Sequence, residues 1–143
     1  IYCSRSTLSS DAGDAVAHDE LAEILRTSRA NNGRFGLTGA LLYSDQCFAQ
    51  VLEGPLPAVE RVFERILRDP RHGQVTVLGL ERAERRLFGA WSMAFAGRPG
   101  LRTLLAGAAV DDGTVAPSDS AGRDVLALLT DVIRAEDYWA ITA

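Results

Sequence analysis

Two apolar segments near the middle of the chain, Leu37–Tyr43 and Cys47–Glu53, are separated only by the polar residues Ser44–Gln46. Strand-forming segments joined by so short a polar turn predict an antiparallel hairpin. A helical pattern lies on each side of this hairpin, which favours an α+β fold over an all-β or an all-helical one.

Apolar residues at helical spacing mark both helices. Before the hairpin, Leu21, Ile24, Leu25 and Ser28 recur at i, i+3, i+4 and i+7, and Asn31-Asn32-Gly33 is typical of a helix end. After the hairpin, Gly54-Pro55 breaks the strand and a second helix begins near Pro57. That helix has a charged face and one apolar stripe, which consists of Val59, Val62, Phe63, Ile66 and Leu67.

Three further strands complete the pattern. Ile1–Cys3 is interpreted as the end of the first strand, and Ser4–Ala17 as a loop rich in Ser, Asp, Gly and Ala. Asp69–Gly73 ends the second helix, and strands are predicted at Val75–Leu80 and Leu87–Phe95. The order β-α-β-β-α-β-β predicts a ferredoxin-like sandwich, in which two helices cover one face of a mixed five-stranded sheet.

The composition of the chain changes after residue 97. Leu101, Leu104 and Leu105 predict a short helix, a loop rich in Asp, Gly, Ser and Pro runs to about Ser120, and residues 125–133 form a second amphipathic pattern. We therefore predict a core domain over residues 1–97 and a C-terminal helical extension over residues 98–143, which covers the free face of the sheet as a cap.

Bulk properties exclude several functional classes. A length of 143 residues with 47% hydrophobic content fits one domain with a sizeable core. The net charge of −4 and the interleaved charges argue against nucleic-acid binding, and no apolar run is long enough to span a bilayer. The two cysteines, Cys3 and Cys47, lack CxxC spacing and indicate a reducing, cytoplasmic setting. Because the chain begins at Ile1, we expect it to start partway into its first strand.

Single polar residues of interest each have a purely structural explanation. Strand alternation puts Gln50 on one face with Phe48 and Leu52, and a buried amide there needs hydrogen-bond partners, which the neighbouring backbone can supply. Asn31 and Asn32 fit a helix end. Tyr2, Trp91 and Met93 fit a core, and Trp91 and Met93 are expected to point the same way from the last strand.

The arrangement of these residues is more specific than any one of them. Together they resemble the BLUF family, the sensors of blue light using FAD, in register over residues 1–97 apart from the first loop. The motifs that carry this resemblance are Ile1-Tyr2-Cys3-Ser4, Asn32, Gly36-Leu37-Thr38-Gly39-Ala40-Leu41-Leu42-Tyr43, Phe48-Ala49-Gln50-Val51-Leu52-Glu53-Gly54, Asp69-Pro70-Arg71-His72 and Phe88-Gly89-Ala90-Trp91-Ser92-Met93. The segment Ser9–Asp14 departs from compact members as an insertion.

The resemblance implies a non-catalytic photoreceptor with FAD as its cofactor. It implies that Tyr2 donates an electron and a proton to the excited flavin, and that Gln50 bridges Tyr2 and the flavin and changes its hydrogen bonds after light. It also implies that Asn32 and Arg71 hold the two carbonyl sides of the ring. The other positions that it assigns to the pocket are Asn31, His72, Ile24, Ser28, Phe48, Ile66 and Asp69, and those that it assigns to signal relay are Trp91 and Met93.

Two other functional classes stay open at this point. One is a small hydrolase of the acylphosphatase type, against which the chain lacks a glycine-rich phosphate loop before a helix. The other is a flavin-free domain that only mediates assembly. The distant His18 and His72 do not form a metal-ligand pattern with the cysteines. The apolar face of the last helix and the uncovered side of the sheet predict a homodimer, and we expect a downstream effector, with no direct nucleic-acid or membrane partner.

Overall fold

The computed structural model of the chain describes residues 1–8, 13–44, 46–97 and 120–135. These residues form strands and helices in the order β-α-β-β-α-β-β-α. The elements are β1 Tyr2–Ser6, α1 Gly13–Phe35, β2 Thr38–Ser44, β3 Cys47–Glu53, α2 Leu56–Leu67, β4 His72–Val77, β5 Ala94–Gly97 and α3 Ala121–Ala135.

The five strands form one sheet in the order β4-β1-β3-β2-β5. Strand β1 is antiparallel to both β3 and β4, whereas β5 runs parallel to β2. The predicted mixed five-stranded sheet is therefore confirmed, and β2–β3 is the predicted hairpin. In the β1–β3 pair, Tyr2 is directly opposite Gln50. Directly opposite residues share a face of the sheet, so the two side chains project to the same side.

Each face of the sheet has its own hydrophobic cluster. Phe48 and Leu41 pack with Ile24 of α1, on the face that carries α1 and α2. Ala49 and Val51, which alternate with Gln50 along β3, lie in the cluster of the opposite face. That second cluster contains the buried stripe of α3, which is Val125, Leu129, Val132 and Ile133. The C-terminal helix thus caps the face that the sandwich leaves open.

The extension is only partly described. The predicted short helix around Leu101–Leu105 and the loop that follows lie outside the described residues, and the division into two domains at residue 97 stays a prediction. Helix α3 approaches the main chain after β4 closely, since a Cβ atom added at Gly122 would lie 2.6 Å from the carbonyl oxygen of Leu78.

The first strand and the first helix are both longer than predicted. Strand β1 continues to Ser6 and α1 begins at Gly13, so most of the loop predicted over Ser4–Ala17 is wrong. Helix α1 also passes the predicted end at Asn31-Asn32-Gly33 and stops at Phe35. Gly36, with φ +67°, ends the helix there, and the N–H of Leu37 donates to the carbonyl of Asn32 at 2.8 Å.

The last two strands are displaced from their predicted positions. Strand β4 starts at His72 and ends at Val77, because His72 and Gly73 already pair with β1. The strand predicted at Leu87–Phe95 is mostly wrong, since only Ala94–Gly97 joins the sheet. The N–H groups of Leu87 and Phe88 donate to the carboxylate of Glu53 instead, at 2.6 and 2.8 Å.

Candidate functional site

A cavity of about 180 Å³ lies between α1 and α2, above β1 and β3. One water molecule needs only about 10–15 Å³ on this scale, so the cavity has room for a flat organic ring. Its lining includes Tyr2 and all ten residues that the sequence assigns to the pocket, namely Ile24, Ser28, Asn31, Asn32, Phe48, Gln50, Ile66, Asp69, Arg71 and His72.

A chain of hydrogen bonds connects two strands and the last loop at the base of this cavity. The hydroxyl of Tyr2 donates to Oε1 of Gln50, and both side chains are buried. Since Oε1 accepts from the phenol, the amide nitrogen of Gln50 is free to donate elsewhere, and it donates to the sulfur of Met93 at 3.6 Å. Gln50 therefore satisfies its buried carbonyl and amide groups with two side chains rather than with the backbone.

Tyr2 keeps its proton in this environment. Burial raises the pKa of its hydroxyl above the usual value of 10, and the negative charge of Asp69 raises it further. At neutral pH the phenol is consequently a hydrogen-bond donor.

Arg71 and Asp69 form a fixed ion pair at one end of the cavity. The guanidinium donates from Nε to Oδ1 at 2.9 Å and from Nη2 to Oδ2 at 2.6 Å, and the backbone N–H of Arg71 donates to Oδ1 at 2.9 Å. The hydrogen bonds from Arg71 lower the pKa of Asp69 below its ordinary value. The pair holds the guanidinium plane in one orientation, which suits recognition of a carbonyl group.

Two polar side chains of α1 hold the backbone of the last loop. Asn32 donates from Nδ2 to the carbonyl of Ser92 at 2.6 Å, and Arg29 donates from Nε to the carbonyl of Met93 at 3.1 Å. Asn32 also lines the cavity. One asparagine thus contacts both the space for a ligand and the segment before β5.

His72, which also lines the cavity, is held by two hydrogen-bond partners. Its Nε2 lies 2.6 Å from the carbonyl of Ile66 and its Nδ1 lies 2.8 Å from the hydroxyl of Ser4. Because a carbonyl can only accept, Nε2 carries a hydrogen. Both ring nitrogens have partners, so the ring of His72 is held in place as part of the cavity wall.

The chemistry of the lining fits an isoalloxazine ring. The edge of that ring alternates carbonyl acceptors with one N–H donor, and the amides of Asn31, Asn32 and Gln50 each carry both functions. Its flat body needs apolar walls, which Ile24 on α1 and Ile66 on α2 supply from facing helices.

A sequence model of the BLUF family, described as sensors of blue light using FAD, matches residues 1–94. The chain belongs to the BLUF family. It is accordingly a sensor domain for blue light that binds FAD, and the domain itself is a sensor rather than a catalytic unit.

Known BLUF proteins resemble the chain in sequence and in fold. Photoactivated adenylate cyclase subunit beta from Euglena gracilis is 34% identical over 99 residues, which cover 68% of this chain but 12% of that protein. The dark-state structure of the BLUF protein BlrB has a TM-score of 0.70 and 34% identity, and the match covers 94% of this chain and 92% of BlrB. The photo-activated structure of BlsA has a TM-score of 0.71 and 27% identity, with coverage of 90% and 91%.

Trp91 and Met93 differ from their predicted arrangement in this BLUF domain. Both residues precede β5 instead of lying on a strand, and they do not point the same way. Met93 is buried in the cluster below the cavity and contacts Gln50, whereas Trp91 packs against the cluster that contains α3. The loop therefore presents one residue to each face of the sheet, and Trp91 does not line the cavity.

Four residues that line the cavity were not predicted from the sequence: Thr27, Leu41, Val62 and Arg65. Helical spacing offers a signal for two of them, since Thr27 follows Ile24 by three positions and Val62 precedes Ile66 by four. Leu41 is the partner of Gln50 in the β2–β3 register, which only the pairing reveals.

Within the described residues, no helix is both long enough and apolar enough to cross a membrane.

Proposed function

We propose that Tyr2 and Gln50 are the photoactive pair of this blue-light sensor. The observation that carries the proposal is the hydrogen bond from the buried Tyr2 hydroxyl to Oε1 of Gln50, in the lining of a cavity suited to a flavin ring. Bound FAD would supply a ring that absorbs blue light and takes up one electron. Tyr2 is the phenol of the lining, so it would supply this electron, and its proton would pass to the same ring by way of its hydrogen-bond partner Gln50.

Gln50 converts this transfer into a change of hydrogen bonds. In the present arrangement Oε1 accepts from Tyr2 and Nε2 donates to Met93. Rotation of the amide by half a turn exchanges the two ends without moving the backbone. Oε1 then faces the sulfur of Met93, and two acceptors in contact repel each other, so Met93 has to move or turn.

The remaining lining residues hold the ring. We assign Asn32 and Asn31 to the carbonyl and N–H edge, Arg71 with its partner Asp69 to the other carbonyl, and Ile24, Ser28, Phe48, Ile66 and His72 to the walls. These assignments are supported by the shared cavity and by the donors and acceptors that each side chain carries.

The output of the sensor lies beyond this domain. We propose a cytoplasmic receptor that signals to a separate effector protein or domain, so that any catalytic activity belongs to that effector. The photoactivated adenylate cyclases among its relatives support this arrangement.

Homodimerisation also remains a proposal. The apolar stripe of α3 is buried on the sheet and does not support it. Support comes from exposed apolar residues in and after the edge strand β4, where Val77 is 51% and Leu80 is 72% exposed. A monomeric mass in light scattering at micromolar concentration would reject it.

The photoactive pair is tested by absorption spectra in the dark and under blue light. We expect a yellow protein whose flavin band shifts reversibly to the red. Gln50→Leu should abolish the shift while FAD stays bound, because leucine fills the site without an amide. A normal photocycle in that variant would show that Gln50 is not the switch, and a protein unable to hold flavin would remove the whole proposal.

A further inference from the structure

Two aromatic rings from other elements contact the phenol ring of Tyr2. The ring centre of Phe63 on α2 lies 5.4 Å from that of Tyr2, with 50° between the ring planes, and the ring centre of His72 on β4 lies 6.3 Å away, at 59°. Both separations lie in the range in which tilted aromatic pairs attract each other. The ring of Tyr2 therefore has contacts from a helix and from a strand in addition to the hydrogen bond of its hydroxyl.

Phe63 differs from His72 in its relation to the cavity. His72 lines the cavity and is held by Ser4 and by the carbonyl of Ile66, whereas Phe63 is half-buried and is not among the lining residues. The backbone of α2 at Phe63 is nevertheless tied to the cavity, because Val62 beside it and Ile66 one turn later both line it. Phe63 thus contacts the phenol from outside the space for the flavin.

The hydrogen bond to Gln50 does not by itself fix the ring of Tyr2. It joins the hydroxyl to one acceptor, and the torsion that turns the ring about its bond to Cβ has a broad energy minimum. Packing against a neighbouring ring restricts this rotation. Transfer of an electron and a proton depends on the orientation of the reacting groups, so a phenol that turns freely reacts less often than one that is held.

We infer that Phe63 is a positioning residue of the photoreaction: its ring holds the phenol of Tyr2 in the orientation from which the hydroxyl donates to Gln50. The inference rests on the proposed role of Tyr2 as the electron donor. In that reaction one electron passes from the phenol to the flavin ring, and the phenolic proton follows by way of Gln50. Leucine in place of Phe63 keeps an apolar side chain on α2 but removes the ring contact, so the transfer should succeed less often.

The first measurement follows the ring of Tyr2 in the dark, in the full chain loaded with FAD. Nuclear magnetic resonance of ring-labelled tyrosine gives the rate at which the ring flips, and the signals of Tyr2 are identified by their loss in Tyr2→Phe. We expect the ring to flip about two- to tenfold faster in Phe63→Leu, the change in rate that corresponds to the loss of one aromatic pair. An equal flip rate in both proteins overturns the inference.

The second measurement is the quantum yield of the red shift under weak blue light. Phe63→Leu should lower the yield while the dissociation constant of FAD keeps its wild-type value, because Phe63 does not line the cavity. Phe63→Met, which fills more of the same space without a ring, should act in the same direction and replaces Phe63→Leu if leucine prevents folding. An unchanged yield in a folded variant contradicts the inference, and so does a loss of FAD affinity that accounts for the lower yield.

The matched control is Phe35→Leu, which removes another half-buried ring. Among the described residues, the Phe35 ring packs with three guanidinium groups at 5.6, 5.6 and 5.4 Å, and no ring contact joins it to Tyr2. It should preserve the flip rate and the yield. An equal effect of Phe35→Leu and Phe63→Leu would mean that a general loosening of the fold is responsible, and the inference would be wrong.

Tyr2→Phe separates this inference from the proposed function on which it rests. If Tyr2→Phe still shows a normal red shift, Tyr2 is not the electron donor and the proposed function is wrong. If Tyr2→Phe is inactive while Phe63→Leu behaves like the wild-type protein, the role of Tyr2 stands and only the positioning role of Phe63 is overturned.

Discussion

Tyr2 is 6% exposed, and its hydroxyl donates to the amide oxygen of Gln50. Burial, followed by the negative charge of Asp69, raises the pKa of the hydroxyl above 10 in the folded protein. The unfolded chain therefore loses this proton at a lower pH than the folded one. Below pH 10 the resulting stabilisation is fully present, and it is lost as the pH rises from 10 towards the folded pKa.

The raised pKa of Tyr2 predicts how the stability of the protein changes under alkaline conditions. The free energy of unfolding should fall above pH 10 in the wild-type protein, and Tyr2→Phe should reduce the slope of that fall. Urea unfolding between pH 9 and pH 11, extrapolated to zero urea, would measure it. Between pH 7 and pH 9 the phenol is protonated in both states, so the two proteins should show the same slope there, which is the internal control. An unchanged slope in Tyr2→Phe would contradict the raised pKa.

A second single residue with a structural role is Glu53, whose carboxylate binds the backbone at the start of the last loop. It accepts from the N–H of Leu87, the N–H of Phe88 and the hydroxyl of Thr38, at 2.6, 2.8 and 3.1 Å. Glu53→Gln removes the charge and turns one acceptor into a donor that faces backbone donors. We expect a loss of about 1–3 kcal/mol in urea unfolding. Glu60→Gln on the exposed side of α2 should change stability little, and an equal effect of both would contradict the role.

At the scale of the elements, hairpin packing depends on the absence of a side chain at Gly39. A Cβ atom added there would lie 2.1 Å from the carbonyl oxygen of Val51, and the N–H of Gly39 also donates to the carbonyl of Trp91. Gly39→Ala must therefore separate β2 from β3. We expect it to cost about 1–3 kcal/mol or more of stability and to weaken flavin binding, since Gln50 lies on β3.

Gly33 in α1 provides the matched control for that substitution. The atom nearest to an added Cβ is the hydroxyl oxygen of Ser92 at 3.9 Å, which is ordinary contact. Alanine is the better helix former, so Gly33→Ala should stabilise the protein by roughly 0.5–1 kcal/mol and preserve flavin binding. Thermal unfolding followed by circular dichroism measures both variants, and a stable Gly39→Ala protein would refute the close packing.

The sequence was informative where each element depends on its own residues. The hairpin, the helix α2 and the alternation along β3 follow from local periodicity, so they were predicted correctly. Within the predicted apolar stripe of α2, however, Val62 is buried whereas Leu67 is 50% exposed. The helix end predicted at Asn32 was wrong, because the amide of this residue binds the carbonyl of Ser92, 60 positions away, instead of capping its own helix. The strand predicted from Leu87 failed for a related reason, since Glu53 takes the backbone donors that a sheet would need.

At the scale of the whole molecule, the site too depends on contacts between residues far apart in the sequence, which local patterns do not reveal. The pocket residues came from a family resemblance, and no local pattern indicates that Leu41 or Arg65 lines the same cavity. Nor does periodicity show that Met93 and Trp91 project to opposite faces, because the loop that carries them is set by contacts with α1, β2 and β3. Long-range contacts rather than local preference define the path from the cavity to α3.

That path gives the last prediction. Met93 contacts Gln50 on one face of the sheet, and two residues earlier Trp91 packs with the cluster of α3 on the other. We therefore expect a movement of Met93 after light to shift the packing of Trp91 against α3. Trp91→Ala should keep the red shift, because neither Tyr2 nor Gln50 depends on the indole, but it should alter dark recovery and remove light-dependent changes in hydrogen exchange of α3. Trp91→Phe, which retains an aromatic contact, should restore much of the coupling. A variant that loses the red shift itself would instead mean that Trp91 acts in the photochemistry.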